Sequence, residues 1–165
     1  MERAIAEIGS GAQVVAQFGM HRETTSGDLH RLIQAIGASK TLARLDLRCN
    51  GITRAYADAL VRAILSCPSL THVDLSHNNF GDAGIRVLAV VIANSKTLQH
   101  MGLGGNQITD QGVRELAPAL EKSASMKRVE LHCNHISHSS AELLTRLSKR
   151  MELDLGFNAP ERQAF

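Results

Sequence analysis

The sequence predicts an α/β solenoid, and three observations point to it. Leu42, Leu70, Leu98 and Met126 open four copies of one motif, and Asn50, Asn78, Asn106 and Asn134 close them with a 28-residue step. Inside each copy, Leu45/Leu47, Val73/Leu75, Met101/Leu103 and Val129/Leu131 alternate with polar residues, as in a short strand with one buried face. The second half of each copy changes to helical spacing, clearest in Ile85, Leu88, Ala89 and Ile92. A fixed period of this length describes one supersecondary unit that can bury its apolar face only against its neighbours.

Along the chain, Glu2 to Ile8 reads as a short capping helix, broken by Gly9-Ser10-Gly11. A degenerate first unit follows, with Phe18 and Met20 in the strand slots and Glu23 near the asparagine position. Its outward residues would then be Gln17, Gly19 and His21. The regular units occupy 41–136. Their helices turn Leu32/Ile36, Leu60/Ile64, Leu88/Ile92 and Leu116/Leu120 inward, and Ile52, Phe80, Ile108 and Ile136 form an apolar column between strand and helix. Asp82 is placed to cap its own helix. Pro118 falls within a helix and is expected on its outer side, where a missing N–H does least harm. Residues 137–165 supply a last helix and a final strand at Leu153, Asp154, Leu155 and Asn158, after a step shortened to 24 residues. Phe157 and Phe165 lie near that open edge, either as a contact surface or where a longer protein was cut. The organisation expected is a single domain over 1–165, with 1–40 as cap and degenerate unit.

Each asparagine carries two donors and an acceptor. Turned inward at the bend, it can satisfy backbone groups of its own repeat and the next. Asn50, Asn78, Asn106 and Asn134 are therefore read as a structural ladder and not as binding residues.

Composition narrows the class further. The chain is 44% apolar and 21% charged with a net charge of +2, which gives no concentrated basic stripe for nucleic acid or an acidic membrane. The longest apolar run, Ile85 to Ala93, includes Arg86 and is far short of the ~20 residues that span a bilayer. Residues 1–20 lack the pattern of a secretory signal. Cys49 and Cys133 share one repeat position three strands apart, about 14 Å at the usual strand spacing. A disulfide needs Cα atoms within about 7 Å, so these two cannot pair, and Cys67 falls in a turn across the coil. Reduced thiols in a cytoplasmic setting are expected.

The stretch Leu70-x-x-Val73-x-Leu75-x-x-Asn78-x-Phe80, with Asp82-x-Gly84-Ile85-x-x-Leu88-Ala89, resembles leucine-rich repeat proteins of the ribonuclease-inhibitor-like class. The next copy matches through Asn106-x-Ile108-x-Asp110-x-Gly112-Val113-x-x-Leu116-Ala117. The resemblance implies a horseshoe with parallel strands on the concave face and helices on the convex face. In that frame three outward columns cross the strands. The first holds Arg44, His72, His100, Arg128 and Glu152. The second holds Asp46, Asp74, Gly102, Glu130 and Asp154, and the third Arg48, Ser76, Gly104, His132 and Gly156. An acidic middle row is thus flanked by arginines and histidines. Gly102, Gly104 and Gly105 should leave a bare, shallow groove bordered by His72, His100, Arg128 and His132, unless they only mark a drifting repeat.

These columns point to a non-catalytic protein-interaction module that meets a protein partner through Arg44, Asp46, Arg48, His72, Asp74, Ser76, His100, Gly102, Gly104, Arg128, Glu130 and His132. No nucleotide cradle, nucleophile elbow or close His/Cys ligand spacing is present, so catalytic residues, metal ligands and cofactors are expected to be none. Two alternatives stand beside this reading. One is a structural subunit of a cytoskeletal, ciliary or organellar assembly, using the ends and the Val90/Pro118 pair of the helical side. The other, weaker, is a GTPase regulator, because Ran GTPase-activating proteins resemble this repeat class. Those have a longer horseshoe and an acidic tail.

Overall fold

Period-2 stretches can pair only edge to edge, and helical stretches with one apolar face must cover them. A computed structural model describes residues 8, 14–15, 26–147, 150–156 and 158, and in it the two patterns alternate along the chain. The elements are β1 (Val14–Val15), α1 (Ser26–Ala38), β2 (Arg44–Asp46), a 3-10 turn (Arg54–Tyr56), α2 (Ala57–Ser66), β3 (His72–Asp74) and α3 (Gly81–Asn94). They continue with β4 (His100–Gly102), α4 (Asp110–Lys122), β5 (Arg128–Glu130), α5 (His138–Leu147) and β6 (Glu152–Asp154). The strands form one parallel sheet in sequential order, β1 to β6. Sequential order with one helix per crossover is the topology of an α/β solenoid, as expected from the sequence.

Register follows the repeat. Arg44 pairs with His72, His72 with His100, His100 with Arg128, and Arg128 with Glu152. The three-residue strands are shorter than the repeat suggested, but their ladder runs on. Leu47 N–H donates to Asp74 O and Cys49 N–H to Ser76 O, and the same two bonds recur in each later pair. A positive-φ residue then turns the chain at Cys49, His77, Gly105 and Cys133, with φ of 57°, 56°, 62° and 55°.

The core is one continuous cluster between sheet and helices. Leu45, Leu47, Val73, Leu75, Met101, Leu103, Val129 and Leu131 enter it from the strands, and Leu32, Leu60, Leu88, Leu116 and Leu144 from the helices. Burying a leucine of this kind contributes about 1.5–3 kcal/mol. Ile52, Phe80, Ile108 and Ile136 are buried between the two layers. Pro118 lies within α4 and is exposed, as its place in the repeat required.

Several expectations need correction. In the first unit the residues in register with Leu45 and Asp46 are Val14 and Val15. The frame built on Phe18 and Met20 therefore fails, because a degenerate unit gives two apolar alternations and the pattern alone cannot choose between them. Phe18, Met20, Glu23 and the proposed Gln17, Gly19 and His21 lie outside the described residues, as do Phe157 and Phe165. Of the expected N-terminal helix only Ile8 is described, helical and 2% exposed.

Asp82 does not cap its own helix. α3 begins after Phe80 with no side-chain cap, and the Asp82 carboxylate reaches into the next repeat instead. The asparagines serve their own repeat, as expected, but reach into the preceding repeat and not the next. Asn78 Oδ1 accepts from the amides of Asn50 and Ile52 in the preceding repeat, at 3.1 and 2.9 Å, while its amide donates to Leu47 O and Leu75 O. Asn134 does the same for Asn106 and Ile108, and Asn158 extends the ladder to Asn134 and Ile136. Asn106 donates to Leu75 O and Gly104 O, but its Oδ1, like that of Asn50, has no partner among the described residues. Asn50 is only half-buried and donates to Arg48 O alone.

Candidate functional site

The side of the sheet away from the helices carries the outward columns, and the parallel register lines them up. A groove of about 320 Å³ runs across β2 to β5 on this face, floored by Leu45, Val73 and Met101 and walled by Arg44, Asp46, His72, Asp74, His100, Gly102, Arg128 and Glu130. Eight of the twelve residues singled out from the sequence are in its walls. Arg48, Ser76, Gly104 and His132 are not, because they stand two positions beyond the strands.

Charge on this face is largely paired. Arg48 bridges Asp46 at 2.6 Å and Asp74 at 3.3 Å. Its bond with Asp46 and that carboxylate's charge hold the guanidinium above its ordinary value. Arg128 bridges Glu130 at 3.0 Å and Glu152 at 2.7 Å, and is raised in the same way by its bond with Glu130. Such solvent-open ion pairs, within a strand segment or across to the next, are worth only about 0.2–1 kcal/mol each. Their larger effect is to orient the arginines. Arg44, exposed at the end of the first column, makes no hydrogen bond or ion pair among the described residues.

Between Arg44 and Arg128, the rings of His72 and His100 stack face to face, with centroids 4.1 Å apart and planes 7° from parallel. The strand register produces this contact, since directly paired residues on neighbouring parallel strands point the same way. Burial pushes His72 below the ordinary histidine value, and the nearby charges of His100 and Arg44 push in the same direction. Thr71, which the sequence did not single out, holds the His72 ring through a 2.8 Å contact to Nδ1.

The glycine-rich region is not the bare floor expected. Gly102 and Gly104 are buried, and neighbouring side chains already occupy the space a Cβ would need. At Gly102 the Asp74 Cγ lies 2.8 Å and the Ser76 Oγ 2.9 Å from that point, and at Gly104 the His132 ring covers it, with Cε1 nearest and Nε2 2.6 Å away. These glycines let longer neighbours fold over them. Ser76, expected outward and available, is 2% exposed, and its hydroxyl has no partner among the described residues. His132 is half-buried and lies over Gly104, with the His77 ring 6.1 Å away. The groove keeps His72, His100 and Arg128 from the expected border, but His132 is not in its walls and the glycines are not its bare floor.

Among the described residues, no group of three His, Cys, Asp or Glu could hold a metal ion. The three cysteines are unpaired; Cys49 and Cys133 are exposed and Cys67 is buried. No helix among the described residues is long and apolar enough to cross a membrane.

This architecture, with its asparagine ladder, is that of a leucine-rich repeat solenoid. The family described as "Leucine Rich repeat" matches residues 38–54, 66–89 and 94–117. Its fold is similar to that of a structure titled "Leiomodin-1 Actin-Binding Site 2 (ABS2)", with a TM-score of 0.71 and 14% identity over 90% of this chain and 87% of that one. It is similar also to a Caenorhabditis elegans tropomodulin C-terminal domain, with a TM-score of 0.69 and 16% identity over 90% of this chain and 91% of that one. At this level of identity the likeness is one of fold. No curated protein shows significant sequence similarity to the chain.

Proposed function

We propose that the protein is a non-catalytic interaction module that binds a protein partner on its concave strand face. The observation that carries this reading is the groove of about 320 Å³ walled by Arg44, His72, His100 and Arg128, a surface held by backbone ladder and ion pairs before any partner arrives. A preformed surface avoids much of the ordering cost of association. Arginine is among the residues that most often dominate interface energetics, so Arg44, Arg48 and Arg128 are the leading candidates. The open, shallow shape is unlike the closed sites that exclude water for acid–base chemistry.

A second reading is a structural subunit of a cytoskeletal assembly, with a cytoplasmic site. It is favoured by the similarity of fold to a structure whose title names an actin-binding site. Co-sedimentation with actin filaments tests this version directly, and affinity purification of the chain from its native source tests the general one. A partner retained by the wild-type chain and lost when Arg44, Arg48 and Arg128 are all replaced by alanine supports the concave reading. Retention by the triple variant contradicts it.

A further inference from the structure

We propose that the groove is selective for an acidic segment of the partner, whose carboxylate seats against Arg44 and the stacked His72–His100 pair and binds together with a proton. This inference rests on the concave face being the binding face and names the chemistry of what binds there.

Three observations converge. First, Arg48 and Arg128 are committed to Asp46, Asp74, Glu130 and Glu152, whereas Arg44 has no partner among the described residues. A guanidinium offers a planar fork of donors that matches a carboxylate. Second, the hydrogen bonds around Thr71 define the His72 tautomer. The Thr71 hydroxyl donates to Ala43 O at 3.0 Å, so in its 2.8 Å contact with His72 Nδ1 the ring nitrogen carries the proton. Nε2 is then the free nitrogen. It bears a lone pair in the neutral ring and gains an N–H donor only when the ring is protonated. Third, His100 lies flat against His72 at 4.1 Å, so the two rings share one charge more readily than they hold two.

The groups that face His72 set the sign of the effect. Arg44 on β2, His100 on β4 and Arg128 on β5 disfavour a charged ring. Asp46, Asp74 and Glu130 would favour it, but all three make ion pairs with arginines. The free face therefore disfavours the charged form of the His72 ring. An incoming carboxylate between Arg44 and His72 reverses that balance, because it stabilises the imidazolium and gives Nε2–H an acceptor. Protons are taken up on binding, so binding tightens as the pH falls.

The test uses the full chain and, as probe, a short blocked peptide of alternating glutamate and serine, with a glutamine-for-glutamate peptide as control. Binding and the histidine ring resonances are followed by NMR between about pH 6 and pH 8, the range in which unperturbed histidine titrates. The glutamate peptide should bind about fivefold tighter at the lower pH and raise the midpoint of His72 or His100, leaving His138 on the helical side unmoved. Arg44→Gln should weaken binding at every pH, while the double change His72→Gln and His100→Gln should remove the pH dependence. Both histidines are only partly buried, so these variants should keep the fold, which their amide spectra will show directly. Equal binding of the glutamine peptide on the strand face, or binding independent of pH, overturns the acidic-segment inference and leaves the concave reading standing. Perturbations confined to the helical side, or none on β2–β5, overturn both.

Discussion

The Asp82 carboxylate accepts the Thr109 amide at 2.8 Å and the Thr109 hydroxyl at 2.6 Å, so a residue in the first turn of α3 organises the start of α4. Thr109 in turn caps α4 by accepting from Gln111 N–H. Asp110 repeats the arrangement one unit on, accepting the Ser137 amide at 2.9 Å. The corresponding residue of the preceding unit is Arg54, which cannot accept, and a 3-10 turn precedes the helix there. A double-mutant cycle of Asp82→Ala and Thr109→Ala should show a coupling of about 1 kcal/mol in urea denaturation, since charge-assisted hydrogen bonds exceed neutral ones but this pair is open to solvent. Strict additivity would refute the link.

Asp110 makes stability depend on pH. Burial works to raise its carboxyl, but the Ser137 amide, the Ser140 and Ser137 hydroxyls and Arg114 outweigh burial and hold it below the ordinary aspartate value. The folded chain therefore binds this proton less readily than the unfolded chain. The stabilisation is complete above the unfolded value of about 3.9 and is lost as the pH falls through the lower folded value. Asp110→Asn should be less stable than wild type near pH 6, and the gap should narrow as acid is added. A constant gap down to about pH 3 would contradict the assignment.

The asparagine ladder predicts unequal costs at equivalent positions. Asn78→Ala leaves the amides of Asn50 and Ile52 and the carbonyls of Leu47 and Leu75 without this partner, in a site 2% exposed. The loss should be about 3 kcal/mol or more, measured by chemical denaturation. Asn50→Ala removes one half-exposed bond and should cost under about 1 kcal/mol. Similar losses at both positions would argue against a ladder that works backwards along the chain.

Gly102→Ala tests the covered glycine floor. A methyl group there meets the Asp74 carboxyl and the Ser76 hydroxyl, and Asp74 Oδ1 also accepts Ser76 N–H at 2.9 Å. Moving Asp74 aside breaks that bond, so a loss of about 1–3 kcal/mol is expected from the urea midpoint. If the sheet tolerates alanine without loss, the space above Gly102 is open after all.

Much of the fold was legible because identical positions recur. The 28-residue step gave the strands, the core columns, the parallel register and the first-column neighbours His72 and His100. It could not show that their rings stack, because stacking depends on χ angles that the repeat does not encode. The buried Ser76 was missed for a related reason. Alternation says which way a residue points, but whether Asp74 and Ser76 fold over Gly102 depends on what the neighbouring strand lacks. Asp82 was misassigned because a first-turn aspartate fits a cap of its own helix and a clamp on the next equally well. The first unit failed where repetition itself gives out, with Val14 and not Phe18 in register with Leu45.

The most direct test of the central claim is the affinity of a purified partner for two triply and doubly substituted chains. One carries alanine at Arg44, Arg48 and Arg128 on the strand face, and the other alanine at the exposed helical residues Arg62 and Arg86. A concave binding face predicts at least a roughly tenfold loss for the first, as truncated interface arginines commonly cost more than about 1 kcal/mol, and little change for the second. Undiminished affinity in the strand-face variant, or loss confined to the helical variant, would place the partner elsewhere on the solenoid and contradict the account.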